Sequence, residues 1–126
     1  MEDQNYPTER RKCRRVPTNL PYEYWETCDT SHGGLVENIS ETGLLIHSIE
    51  DMGVGSELEI KVFFYDGYEF DLLKVLTRVV WKGNHCQAGW QGYRYGLRNL
   101  TISQEDELKL LRLLQASSQQ QGSPET

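Results

Sequence analysis

Long apolar runs are missing from this sequence. No stretch approaches the about 20 residues of a membrane-spanning helix, and Met1-Glu2-Asp3-Gln4-Asn5 begins the chain without the apolar segment of a secretory leader. A cytoplasmic protein without a membrane span is therefore expected. Cysteine is scarce: Cys13, Cys28 and Cys86 are odd in number, far apart and form no CxxC pair. That pattern argues against a disulfide framework and fits a reducing compartment. Neither Cys28 with His32 nor His85 beside Cys86 has a spacing that structural zinc sites use, so no metal or cofactor is expected. Catalytic spacings are absent too. His32, His47 and His85 accompany no nucleophile and no paired carboxylates, so they read as surface or packing histidines and no enzyme is expected. No internal repeat is visible.

Positive charge is also in short supply, with 13 Lys and Arg against 19 Asp and Glu. A duplex-binding domain needs a broad basic face, so duplex DNA is not an expected partner. What basicity there is sits in one place: Arg10-Arg11-Lys12-Cys13-Arg14-Arg15 carries five cations in six positions. Residues 9–15 sum to +4, whereas residues 16–126 sum to −8. Like charges in a row repel one another and gain little by folding against their own body, so the run reads as an arm poised for an anionic partner or as a solvated tail.

The remaining pattern is that of a small β domain of one core. Residues 1–8 are polar and aperiodic, and are expected to be disordered. Pro17 and Pro21 favour extended chain, and a strand begins at Tyr22-Glu23-Tyr24-Trp25 and closes in the polar run Thr27 to Ser31. Leu35 to Ser40 and Gly43 to His47 read as two strands joined at Glu41-Thr42, with Asn38 and Ser40 on one face and Ile39 on the other. Ser56 to Tyr65 alternates charged and apolar residues, Asp66-Gly67 is a hairpin turn, and Tyr68 to Trp81 returns. Lys82-Gly83-Asn84 reads as a further turn, followed by a last strand over about Gln87 to Leu100. Ser103 with Asp106 forms a helix start, and the leucines from Leu108 to Leu114 give an amphipathic helix over 104–116 that should cover an opening of the sheet. The polar tail 117–126 is expected to be disordered. About six strands with short connections imply an antiparallel barrel, because closure removes exposed edges.

Two separated motifs make the chain resemble a PilZ domain, the bacterial receptor module for cyclic di-GMP. The family's RxxxR arm matches Arg11-Lys12-Cys13-Arg14-Arg15, followed by Val16-Pro17, and Arg10 matches the extra arginine many members carry before it. The family's (D/N)xSxxG matches Asn38-Ile39-Ser40-Glu41-Thr42-Gly43. Arg78-Val79-Val80-Trp81 and Tyr95-Gly96-Leu97-Arg98 look like its later strands, while Asn99 departs from the phenylalanine often found there. The resemblance covers about residues 9–115. It implies a mainly β fold, a six-stranded antiparallel PilZ-type β-barrel with a C-terminal α-helix, over 9–116: arm 9–15, barrel about 16–100, helix about 104–116.

It also implies a ligand site for cyclic di-GMP made of Arg10, Arg11, Arg15, Asn38, Ser40 and Gly43, with Arg14 and Trp81 as further contributors. A guanidinium meets the guanine O6 and N7 with two hydrogen bonds, stacks on planar rings and pairs with phosphate, which suits Arg11 and Arg15 to the bases and phosphates. Asn38 and Ser40 offer hydrogen bonds, Gly43 a close approach of backbone, and Trp81 a wall or a core residue. Arg10 implies two stacked ligand molecules per protomer. With no output domain in the sequence, the expected mechanism is ordering of the arm on ligand binding, which creates a surface for an unidentified partner protein. The alternatives are a PilZ-like interaction adaptor that binds no ligand, and a barrel for single-stranded nucleic acid.

Overall fold

Alternation along the chain places every second residue of each strand on one inner surface, and the strands close around it. In a computed structural model, which describes residues 15–25, 31–87 and 90–122, six strands precede one helix. They are β1 (Val16–Trp25), β2 (Ser31–Ile39), β3 (Gly43–Ser48), β4 (Glu57–Asp66), β5 (Glu69–Gln87) and β6 (Trp90–Thr101), and the helix is α1 (Gln104–Gly122). The order around the closed barrel is β1-β2-β3-β6-β5-β4, and β4 returns to β1; all pairings are antiparallel. The expected architecture is thus observed. The basic arm up to Arg14, residues 1–8 and residues 123–126 lie outside the described residues.

The interior is filled from all six strands by Val16, Tyr22, Tyr24, Val36, Ile39, Leu44, Ile46, Ile60, Val62, Leu73, Val75, Val79, Tyr95 and Leu97. Two tyrosines carry their hydroxyls to backbone acceptors, as buried phenols require. Tyr22 donates to the carbonyl of His47 at 2.7 Å, and Tyr95 donates to that of Glu50 at 2.6 Å while accepting from the Met52 amide. The second tyrosine so ties the long β3–β4 connection to the barrel wall.

Four boundaries differ from the sequence expectation. Strand β1 starts at Val16 instead of Tyr22, and it includes both prolines. They are tolerated because β1 meets β4 only at Tyr22, Glu23 and Tyr24, leaving the proline half with β2 as its paired neighbour. The β4–β5 loop is Gly67-Tyr68, one residue later than Asp66-Gly67, with Gly67 at φ 70° supplying the left-handed conformation. Lys82-Gly83-Asn84 is no turn. These residues pair with Tyr95, Arg94 and Tyr93 inside β5, where the Trp81 ring lies over Gly83 and Gly96, and the Lys82 ammonium sits 4.6 Å from the centre of the Tyr93 ring. Stacking and cation–π contact thus compensate for residues that are poor strand formers. The helix runs to Gly122, six residues beyond Ala116 and into the tail expected to be disordered.

Helix α1 starts at a Ser103 cap, whose Oγ accepts the Asp106 amide at 3.0 Å and donates to the Asp106 carboxylate at 2.8 Å. It packs on β1 and β5 with Leu110 buried in the core, and Lys109 donates to Asp71 and to the Leu72 carbonyl, both at 3.0 Å. Strands β1 and β5 flank β4 in the ring. Leu110→Ala should accordingly cost about 2–5 kcal/mol in urea denaturation, while Leu108→Ala, on the exposed face, should stay within about 0.5 kcal/mol.

Candidate ligand site

The outer face of β2, β3, β6 and β5 carries Asn38 and Trp81, and their placement follows from irregularities in the ladder. Between Val36↔Ile46 and Asn38↔Leu45, Glu37 is an extra residue of β2. Opposite it, Thr18 and Asn19 of β1 face the same single residue. A bulge breaks the alternation by one, so Glu37 and Asn38 both point outward between the buried Val36 and Ile39. A row then crosses the outer face at one level: Pro17, Asn38, Leu45, Gly96 and Trp81.

Arg15, the last residue of the basic run, donates from Nη1 to Asn38 Oδ1 at 2.8 Å. The two motifs, 23 residues apart, therefore meet at one point. Arg10, Arg11 and Arg14 lie outside the described residues. Trp81 is 44% exposed and lies across Gly96, so it forms part of the outer surface and not of the core. The paired segments Arg78–Trp81 and Tyr95–Arg98 face each other as Arg78↔Arg98, Val79↔Leu97 and Trp81↔Gly96.

Ser40 and Gly43 occupy a different position from the one their spacing implies. Strand β2 ends at Ile39, so Ser40 does not share the outer face with Asn38; it is 0% exposed and folds into the β2–β3 turn. Its Oγ accepts the amides of Thr42 at 3.3 Å and Gly43 at 3.2 Å, and its own amide donates to the Gly43 carbonyl at 2.9 Å. Gly43 is a glycine because a Cβ there would strike the Leu97 carbonyl of β6. The close approach it permits in this structure is to the neighbouring strand. Asn99 completes the turn, donating from its side chain to the Glu41 carbonyl at 3.1 Å and from its backbone to that of Thr42 at 2.8 Å. The residue that departs from the family pattern thus holds the motif turn against β6.

One step along the strands from Asn38 lies a group that sequence reasoning missed. Glu37 receives two bonds from Arg94, Nε to Oε1 at 3.1 Å and Nη2 to Oε2 at 2.9 Å, and a third contact from His47 Nε2 to Oε1 at 2.6 Å. The rings of His47 and His85 meet edge to face with centroids 4.5 Å apart. Desolvation pushes the Glu37 carboxyl upward, but the bonds from His47 and Arg94 outweigh it and hold the group below its ordinary range. Only pairing revealed by the fold joins these residues, since Arg94 is 57 positions from Glu37. Among the described residues no group of three His, Cys, Asp or Glu side chains is arranged to hold a metal.

A family model of the PilZ domain matches residues 9–116, which is most of the chain. The chain belongs to the PilZ domain family. No curated protein sequence matches this PilZ chain. Among solved structures it is similar to the Bacillus subtilis inhibitor of motility MotI/DgrA, with TM-score 0.75 and 17% identity over 93% of this chain and 54% of that one. It therefore spans about half of the Bacillus chain. The PilZ domain of Escherichia coli YcgR with c-di-GMP follows at TM-score 0.70 and 14% identity, covering 88% of this chain and 93% of that one. The PilZ domain of CeSA from a cellulose-synthesizing bacterium gives TM-score 0.53 and 16% identity, covering 79% and 93%. At these identities the likeness is one of fold. Among the described residues no helix is long and apolar enough to cross a membrane.

The geometry separates the motif into surface and scaffold. Ser40→Ala and Gly43→Ala should each cost about 1–3 kcal/mol, the first by leaving the buried Gly43 amide and the part-buried Thr42 amide without their acceptor and the second by forcing β3 from β6. Asn38→Ala, on the outer face, should stay within about 0.5 kcal/mol in the same urea series. Equal stability of all the variants would show that the turn does not depend on Ser40 and Gly43.

Proposed function

We propose that this PilZ domain is a cyclic di-GMP receptor in which the arginine arm and the outer face at Asn38 hold the ligand between them. The observation that carries the reading is the Arg15–Asn38 hydrogen bond, which joins the end of the arm to the strand motif. An anion at this point meets the only dense cationic run of an otherwise acidic chain. Arg11 and Arg15 serve the guanines and phosphates, Arg10 and Arg14 add charge and guanidinium planes, and Asn38 hydrogen-bonds the ligand directly. Ser40 and Gly43 act by shaping the turn that presents Asn38. Trp81, in the same row and half-exposed, supplies a stacking plane. The YcgR PilZ domain, a structural neighbour described with c-di-GMP, supports the choice of ligand.

Signalling in this reading runs through the arm. Its like charges repel until the ligand phosphates neutralise them; residues 9–15 then fold across the Asn38 face and form a surface for a partner protein. The extra Arg10 favours two stacked ligand molecules. This is the work of a receptor or adaptor and requires no catalysis.

Calorimetry tests the reading. The wild type should bind cyclic di-GMP, and Arg15→Ala should lose about 1.5–3 kcal/mol, about tenfold or more in affinity. Arg10→Leu should lower the ligand-to-protein ratio. Binding by Arg15→Ala as tight as that of the wild type would remove the assignment.

A further inference from the structure

We propose that Glu37, His47, His85 and Arg94 form a second reading site on the same face, which takes one guanine base of the ligand; the inference rests on the receptor reading above. These four side chains, with Asn19 and Leu35, line a groove of about 250 Å3. The groove lies next to the Arg15–Asn38 point along the strands. Glu37 adjoins Asn38 in the chain, and His47 and Arg94 stand two residues from Leu45 and Gly96, so one pleat repeat of about 7 Å separates the two rows.

Glu37 is the extra residue of β2 against β3 and faces two residues of β1, so it points outward beside Asn38 where strict alternation counted back from Ile39 would have turned it into the core. Without that slip there is no carboxylate on this face beside Asn38. Charge then selects the kind of ligand group. The Glu37–Arg94 pair is electroneutral, and a carboxylate lining the groove repels phosphate, whereas an uncharged base carries no such penalty. The rings of His47 and His85 offer flat apolar surface for a purine. A carboxylate has about four acceptor positions. Among the described residues, Oε2 of Glu37 accepts from Arg94 Nη2, and Nη1 of Arg94 makes no hydrogen bond. The pair thus keeps one acceptor position on Glu37 and, across the guanidinium from it, the Nη1 donor of Arg94. Guanine meets them with its N1–H or N2–H donors and its O6 acceptor, and hypoxanthine, which lacks the N2 amine, meets them less completely.

Titration calorimetry with cyclic di-GMP and its inosine counterpart, cyclic di-IMP, tests this on the wild type, Glu37→Gln, Arg94→Lys and Arg15→Ala. The wild type should prefer the guanine ligand. Glu37→Gln and Arg94→Lys should weaken cyclic di-GMP by about tenfold and narrow its advantage over cyclic di-IMP, whereas Arg15→Ala should weaken both ligands alike. A proton NMR titration of the unsubstituted protein adds a readout independent of any variant, in which the His47 and His85 ring signals should shift as a base stacks on them. No binding of cyclic di-GMP by the wild type would overturn the receptor reading itself. Wild-type binding lost in Arg15→Ala but unchanged in affinity and preference in Glu37→Gln and Arg94→Lys, or unmoved histidine signals at saturation, would overturn the groove while leaving the receptor reading in place.

Discussion

Closure of six strands into one ring leaves a single interior, so each strand must keep its alternation in step with both neighbours all the way round. The inner surface obeys this: Val36, Ile39, Leu44, Ile46, Val79, Tyr95 and Leu97 are all buried, from four adjacent strands. Two of the register slips, at Glu37 and at Val80, each leave two consecutive residues outward on the same stretch of outer wall. Glu37 with Asn38 and Val80 with Trp81 are those pairs. Two of the irregularities of the closed sheet therefore lie beside Asn38 and Trp81.

Charge is divided in a matching way. The barrel and helix pair most of their own cations: Arg78 with Glu57, Lys82 with Asp51, Arg94 with Glu37, Lys109 with Asp71 and Arg112 with Asp66. Such surface pairs are worth little each, about 0–1 kcal/mol, so their weight in stability is small. Their effect is on the field, because a body whose cations are matched and whose net charge is negative leaves the basic run as the place where an anion is attracted.

Local signals were sufficient where a residue acts through its own neighbours in the chain. The alternation of residues 57–65, the Ser103 cap and the leucine spacing of α1 were legible for that reason. The reading failed at Lys82-Gly83-Asn84, whose turn-like composition is overridden by Trp81 and Tyr93 packing around it, and at Ser40, where period-two reasoning was carried one residue past the end of β2. Glycine at position 43 was visible, but its cause was not, since the atom that forbids a side chain belongs to Leu97 on another strand.

The amino-acid sequence by itself determined the strand count, the helix, the single core, the segregation of positive charge and the two motifs, because each of these is written in spacing and composition along a short stretch. Tertiary structure alone decided that Arg15 meets Asn38, that Ser40 turns inward while Glu37 turns outward, and that Glu37, His47, His85 and Arg94 assemble into one groove. The physical reason is register: one extra residue in β2 reverses the direction of every side chain beyond it, and nothing in the strand's own sequence records which residue the neighbouring strands will leave unpaired.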